Sequence, residues 1–560
     1  MPGLTLPEIA GDLLVGVRFL RGFPGFLRHP MDPARARATL ERRFRNRRED
    51  FLTTVREGVY SYPDSPYARL LAAAGCEYGD LERLVRQDGL DGALRFLLRQ
   101  GVYVTLEEFK GRRPIVRGST SFAVNPTDFR NPLSGAHVAF PSGGSRGKAT
   151  PILFDFAFIR DLSVNTCVIL GELDGFDWSR ACWDLPGSGV MIRVLDFASL
   201  GLRLDRWFSY VDPALPSLPR RYRWSFRTMC WGSRAAGRPI PHPVHVAPDD
   251  PLPIVRWMTS VLRAGGTPHL LTYATSAVRL SQAALAAGLD LQGARIWVGG
   301  EPLTPARAAS IRRSGAEPWT RYATMESGVI AANCLMPEAS DDVHVYEDLH
   351  AVIQPDPEDF EGPFPGGALL VSAIRPTAPL VLINASTGDQ AVRSQRRCGC
   401  PLERRGWTTH LRTIRSFEKL TAGGMTFLDT HVVQVLEETL PTRFGGGPTD
   451  YQLVEGETTE GQPRLRLLVH PRLPGIDPAD VGRAFVEALG AGSAPEHMMG
   501  RVWQDSAFVT VERSAPRVTV AGKTQHVHVE REGANRPGAA RAGVPWLDRS
   551  AGGDASSANP

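Results

Sequence analysis

A chain of 560 residues, 42% hydrophobic and 22% charged, is long enough to bury a large core and to divide into more than one domain. Lys and Arg number 64 against 60 Asp and Glu, and the resulting net charge of +4 provides no field for gripping a polyanion, so nucleic acid is not expected as a partner. Seven cysteines are too sparse for a disulfide framework and point to a reducing, cytoplasmic setting, with thiols kept for packing or metal.

Along the chain, Met1 to Leu27 is apolar but is broken by Asp12, Arg18, Arg21 and several Gly and Pro, which predicts a short amphipathic helix docked on the body rather than a signal peptide. No later run offers the ~20 consecutive apolar residues of a membrane span. Arg35 to Leu97 repeats Leu, Phe, Val and Ala at helical spacing. Phe122 to Thr150, rich in Pro, Asn, Gly and Ser, reads as a long loop. Pro151 to about Pro239 is apolar and aromatic and suits buried strands and pocket walls. Helix is expected again at Leu271 to Ala287 and Pro305 to Arg313, with a strand at Ala294 to Val298 between them. Such alternation favours an α/β body. Apolar runs at Ala368 to Ala373 and Pro379 to Ile383 read as strands. A smaller unit follows from about Arg412, with strands expected at Arg464 to His470 and Ala507 to Val511 and a helix at Pro478 to Leu489. After Arg531 the chain is Gly, Ala, Ser and Pro with little to bury, and disorder is expected.

The segment Pro141 to Thr150, with Ser142, Gly143, Gly144, Ser145, Arg146, Gly147, Lys148 and Ala149 between, has the small residues that let backbone N–H groups close around phosphate oxygens. It is not the NTPase phosphate loop, because its glycines enclose three residues rather than four and Ala149 follows Lys148 where Ser or Thr is required. Taken alone, it reads more readily as a flexible connection than as a phosphate site. Downstream come Gly299-Gly300-Glu301-Pro302 after a strand, Tyr322-Ala323-Thr324-Met325-Glu326, Ser386-Thr387-Gly388-Asp389, Arg415 with Gly423 and Gly424, and Gly522-Lys523.

In this order the motifs resemble the adenylate-forming superfamily of acyl-CoA synthetases and adenylation domains. The phenylacetate-CoA ligase branch is suggested by Tyr62 to Gly75, Val343 to Asp348 and Cys398-Gly399-Cys400. The resemblance implies an α/β fold with α+β elements: a large N-terminal AMP-binding body over 1–411, with 1–40 as an extension, and a small mobile C-terminal α+β lid over 412–530, followed by the tail 531–560. It also implies that ATP and Mg²⁺ activate a small carboxylic acid as an acyl-AMP. The acyl group then passes to the thiol of CoA, or alternatively to an acyl carrier protein, an amine or a hydroxyl; a catalytically silent relative is the third reading. The acid is expected to be aryl or otherwise apolar.

The resemblance assigns Ser142, Gly144, Ser145, Gly147 and Lys148 to the phosphates, where cationic and N–H groups must neutralise charge as pyrophosphate leaves. Glu326 would hold Mg²⁺. Tyr322 would stack on adenine, with Gly300, Glu301 and Pro302 at the adenine edge and Asp389 accepting the ribose hydroxyls. Thr324 would take over a phosphate contact that Met325 lacks, and Arg415 would contact ribose or phosphate at the hinge. Lys523 would stabilise the forming acyl phosphate, and Gly423 and Gly424 would later line a tunnel for the pantetheine arm.

The chain departs from the family pattern at Arg146, Ala149, Met325, Ile414 and Phe417, and its lysine motif from Pro516 to Lys523 is longer than usual. Cys334, His344, Cys398 and Cys400 stand where members of the phenylacetate-CoA ligase branch carry structural Zn²⁺. By spacing alone, Cys-x-Cys would be read as buried free thiols.

Overall fold

A computed structural model describes residues 6–135, 138–141, 151–184, 188–210, 212, 230–231, 233–234, 239–247, 250–356, 360, 362–416, 421–422, 425–426, 429–457, 463–490, 509–518 and 524–529. Among them, twelve strands make one mixed sheet. They are β1 (Ser179–Asp184), β2 (Arg206–Ser209), β3 (Pro243–His245), β4 (Pro268–Thr272), β5 (Arg295–Gly299), β6 (Glu317–Thr324), β7 (Gly328–Asn333), β8 (Val343–Val345), β9 (His350–Ile353), β10 (Ala368–Ala373), β11 (Ala385–Gln395) and β12 (Thr409–Ser416). Their order is β9-β10-β11-β12-β8-β7-β6-β5-β4-β1-β2-β3. The half from β6 through β5, β4, β1 and β2 to β3 is parallel, and the other half is antiparallel.

Helix chemistry follows the sequence closely at several starts. Asp32 caps Pro33–Val55 by accepting from the Arg35 N–H at 2.9 Å, with Pro33 at the first position, where its missing N–H costs nothing. Phe23 and Phe26 of the N-terminal helix Leu6–Arg28 are buried, and the Phe26 ring lies 4.7 Å from that of Phe156, so this helix docks on the body.

The apolar stretch after Pro151 holds strands, at Pro151–Phe154, Ser179–Asp184 and Arg206–Ser209, but is not all strand. It contains the helix Phe156–Glu172, buried on every side from Phe156 to Leu170 apart from Ala157 and Arg160, and the helix Ser188–Ser199. A helix enclosed by sheet and helices shows no polar face, so its 3.6-residue period is hidden. Within the expected loop Phe122 to Thr150, Val138–Pro141 pairs antiparallel with Pro151–Phe154. The run Pro379 to Ile383 is not a strand. It is held from the side: Asn131 N–H donates to the Pro379 carbonyl at 3.1 Å and Val381 N–H to the Phe129 carbonyl at 2.9 Å.

A second, four-stranded sheet of order β15-β14-β13-β16 combines β13 (Tyr451–Glu457), β14 (Pro463–Val469), β15 (Val509–Glu512) and β16 (Val527–Val529). With the helix Pro478–Gly490 it encloses its own core around Leu453, Leu465, Leu467 and Phe485. β12 belongs to the large sheet and runs past position 412 to Ser416, which pairs with Asp389.

A buried polar knot joins the helix Pro305–Arg312 to Glu437 and His526. Arg307 pairs with Glu437 at 2.7 Å, both 1% exposed, and also contacts His526 Nε2 at 2.9 Å, while Thr304 donates to Glu437. Burial pushes the Glu437 carboxyl up, but Arg307 and then His526 overcome it and hold it down to about 2. A depressed acid contributes stability that is full above about pH 5 and is lost as pH falls toward the folded value. Arg307→Ala removes the main counter-charge of buried Glu437, leaving it only His526 and the Thr304 hydroxyl, and is expected to cost about 3–5 kcal/mol in chemical denaturation at pH 7. The deficit should shrink between about pH 5 and 2, where Glu437 can take a proton instead.

Candidate active site and metal centre

In open α/β sheets, ligands bind outside the carboxyl ends of the strands. Asp184, Ser209, Thr272 and Gly299 mark those ends here. Gly300, just beyond β5, has φ 74°, a left-handed turn that a side chain would strain. Glu301 turns inward: its carboxylate accepts from the Thr275 N–H at 2.8 Å and from the Thr275 hydroxyl, tying it to the start of the helix Ala274–Ala286. The Pro302 carbonyl accepts from Arg307 at 3.1 Å. The side chain of Glu301 is therefore engaged in the fold, leaving backbone at the edge of the crevice.

Parallel register sets Arg321 of β6 beside Gly299, so Tyr322 follows alongside Gly300. The Tyr322 hydroxyl donates to Asp389 Oδ2 at 2.7 Å. Burial, then the neighbouring Asp389, push the Tyr322 hydroxyl well above its ordinary value, so the proton stays on tyrosine and the carboxylate accepts. Asp389 lies on β11 opposite Ser416, and Gln390 pairs with Arg415. Topology thus brings three separate motifs to one place.

β6 carries a register shift between Tyr322 and Ala323, then turns at Met325 to Ser327, where Thr324 Oγ1 accepts from the Ser327 N–H at 3.1 Å. Met325 packs on the core. Glu326 is met by a residue that the sequence reading did not single out. Lys110 Nζ lies 2.8 Å from Glu326 Oε1, and each side chain is 21% exposed. Lys110 ends the short helix Leu106–Phe109, whose start is fixed by the reciprocal Thr105 and Glu108 cap. Gly111 follows with φ 67°, where a Cβ would lie 2.7 Å from the Val124 carbonyl. That close approach sets the turn, but nothing in Phe109-Lys110-Gly111 announces a partner 216 residues away.

Arg415 is buried and pairs with Asp341 Oδ2 at 2.9 Å, and Asp341 also accepts the Thr413 and Ile414 N–H groups. In this arrangement Arg415 is committed to Asp341. Ser142, Gly144, Ser145, Gly147, Lys148, Gly423, Gly424 and Lys523 lie outside the described residues, as do Arg146, Ala149 and Phe417. Pairing of Pro141 with Pro151 holds the two ends of 142–150 side by side. Thr524, next after Lys523, accepts from Arg279 of the helix Ala274–Ala286 at 3.1 Å.

Cys334, His344, Cys398 and Cys400 place their ligand atoms within 4.8 Å of one another. His344 Nε2 is 3.2 Å from Cys400 Sγ and 3.7 Å from Cys398 Sγ. Donor atoms ~2.0–2.3 Å from a tetrahedral ion are separated by about 3.3–3.8 Å, so the set fits a zinc-sized cation. A hydrogen bond from Cys334, and after it His344, lower the Cys400 thiol well below its usual value against the opposing effect of burial. Around this set, His410 Nδ1 lies 2.8 Å from Asp342, and Asp342 also accepts from Arg396 and from the Glu338 N–H.

Two solved structures share this architecture over nearly the whole chain. 2-Hydroxyisobutyryl-CoA ligase in the postadenylation state with R3-HIB-AMP superimposes with a TM-score of 0.52 at 16% identity, covering 90% of this chain and 92% of that one. The same ligase with 2-HIB-AMP gives a TM-score of 0.51 at 16% identity over the same shares. The chain therefore has the fold of the adenylate-forming CoA ligases. No protein-family model and no curated protein matches its sequence.

Proposed function

We propose that this protein uses ATP and Mg²⁺ to join a carboxylic acid to AMP, releasing pyrophosphate, and then transfers the acyl group to the thiol of CoA. The observation that carries this reading is the convergence of Tyr322, Asp389 and Glu326 beside the Gly300 turn, at the carboxyl ends of the parallel strands. The solved structures of the same fold hold acyl-adenylates, which supports it. Tyr322 and the Gly300–Pro302 backbone bind adenine, and Asp389 accepts the ribose hydroxyls while also fixing Tyr322. The acid's carboxylate attacks the α-phosphorus and pyrophosphate leaves; the thiol then attacks the acyl carbon and AMP leaves. Ser142, Gly144, Ser145, Gly147 and Lys148 supply donors to the phosphates. Mg²⁺ on Glu326 supplies charge neutralisation there. In this reading the lid, expected over 412–530, begins after β12 at Ser416 and carries Lys523 for the first step and Gly423 and Gly424 for the second, while Arg415 stays paired in the large sheet.

Cys334, His344, Cys398 and Cys400 hold structural Zn²⁺ in the same proposal, tying β7, β8 and the segment before β12 together. The expected aryl or apolar acid does not account for the arginines described below.

The test is conversion of ATP, acid and free CoA to thioester, AMP and pyrophosphate across an acid panel. Pyrophosphate release without thioester would redirect the second step to a carrier protein, amine or hydroxyl; no release with any acid would overturn the proposal.

Lys110 occupies Glu326 when no cation is bound, so it competes with Mg²⁺ for that carboxylate. Lys110→Met is expected to lower the Mg²⁺ concentration for half-maximal activity about fivefold, the equivalent of about 1 kcal/mol for a partly exposed pair. A Mg²⁺ titration at saturating ATP reads it directly.

A further inference from the structure

Behind Tyr322, on the opposite face of β6, two guanidinium groups converge on one glycine. A Cβ built on Gly299 would lie 3.6 Å from Arg193 Nη2 and 3.4 Å and 3.6 Å from Arg321 Cγ and Nε. Arg193 comes from the helix Ser188–Ser199 and lies 3.4 Å from Asp184, at the carboxyl end of β1. Asp184 also bonds the Tyr273 hydroxyl, at the end of β4. One arginine therefore has its counter-charge, at the crevice where the strands end.

Arg321 has none of this. Its guanidinium forms no hydrogen bond or ion pair with any described residue. The nearest acid is Asp196, whose carboxyl burial pushes up toward the neutral form, and which already accepts from the Thr166 hydroxyl at 2.8 Å while its Oδ1 has no partner. Burial and then Arg193 pull the Arg321 group down to about 10, far above neutral pH, so it stays charged. The cavity beside it is only about 10 Å³, room for one water, lined by Thr166, Thr320, Asn333 and Tyr346 together with apolar Leu162, Trp297, Val329 and Ala332, and Asn333 Nδ2 lacks a partner. A partly buried guanidinium beside a second cation favours an anionic partner. Its fork of donors fits a carboxylate, phosphate or sulfonate oxygen pair.

We infer that the acid activated by this protein carries a second anionic group, which Arg321, with Arg193 beside it, receives on the face of β6 opposite the adenine-binding Tyr322. The inference rests on the adenylation reading for which acid occupies the crevice, and replaces an unsubstituted apolar acid with a dicarboxylate or similarly charged one. Adjacent residues of a strand point to opposite faces, so Arg321 and Tyr322 divide the two ends of one acyl-adenylate between them.

The test measures acid-dependent ATP/pyrophosphate exchange with matched pairs: butyrate against succinate, benzoate against isophthalate, and phenylacetate against 4-carboxyphenylacetate. At least one charged member is expected to exceed its uncharged partner by on the order of 10²-fold in kcat/KM. Arg321→Gln should erase that preference and Arg321→Lys should retain part of it, with circular dichroism checking that each variant folds. Wild-type protein that prefers the uncharged member of every pair, or treats each pair alike, overturns the inference without using a variant. The same acids are also titrated by thermal shift without ATP. Stabilisation by charged members that is lost in Arg321→Gln, in a protein showing no exchange, would uphold the anion site and reject adenylation. Absence of both effects would overturn the anion site itself.

Discussion

Glu326→Gln is expected to lower acid-dependent ATP/pyrophosphate exchange by about 10²–10³-fold, the loss typical of removing one group that stabilises developing charge. The argument depends on what the substitution leaves alone. An amide has the shape of the carboxylate, and its oxygen can still accept from Lys110, so the turn from Thr324 to Ser327 and the 2.8 Å contact can persist. Only the charge is removed, and Mg²⁺ is a hard cation that selects anionic oxygen. Circular dichroism and the unfolding midpoint should therefore stay close to wild type while the Mg²⁺ requirement rises. Full exchange in Glu326→Gln at unchanged Mg²⁺ would remove Glu326 from the metal role.

The second large effect concerns the thiolate cluster. Purified protein is expected to carry about one zinc per chain, the capacity of a closed site of three thiolates and one imidazole. Cys400→Ser should lose that zinc and lower the thermal midpoint by roughly 5–10 °C, because the binding free energy of a structural ion contributes to folding. The geometry says where the damage would fall. Cys334 follows β7, His344 lies in β8, and Cys398 and Cys400 precede β12, so the ion would cross-link strands on the antiparallel side of Tyr322. Elemental analysis of wild type, Cys400→Ser and Cys76→Ser separates a site-specific loss from a general one, since Cys76 is a buried thiol that is not part of the cluster. Wild-type protein that carries no metal after purification without chelator, with Cys400→Ser equally stable, would leave the four residues as packed thiols and a histidine.

Much of the architecture is legible in the sequence because local chemistry and tertiary structure agree there. Proline at the first turn, as at Pro33 and Pro305, with Asp32 and Thr304 as caps, marks helices that form where the pattern places them. The buried run Ala368 to Ala373 is a strand because both its faces are covered. Phe156 to Glu172 is also covered, but as a helix, and a uniformly apolar run does not announce which. Pro379 to Ile383 fails as a strand because the loop around Asn131 takes its backbone groups.

The same division holds for the site. Tyr322, Glu326 and Asp389 are found by motif, and the four metal-ligand candidates by resemblance. Lys110, Asp341, Arg193 and Arg321 are not, because each acquires meaning only from a partner that the topology delivers: Glu326 for Lys110, Arg415 for Asp341, and their common approach to Gly299 for the two arginines. Charged residues of this kind mostly occupy solvated surfaces, and no spacing rule distinguishes the few that do not.

The central claim is acyl-adenylate formation at the crevice beside Tyr322 and Gly300. Its most direct test is mass-spectrometric detection of acyl-AMP after mixing the protein with ATP, Mg²⁺ and the charged and uncharged acids, without CoA. The account predicts an adduct of one acid with AMP that needs Glu326 and disappears when CoA is added, with thioester taking its place. ATP turnover to ADP and phosphate, or no acyl-AMP with any acid in folded protein that binds ATP, would contradict it.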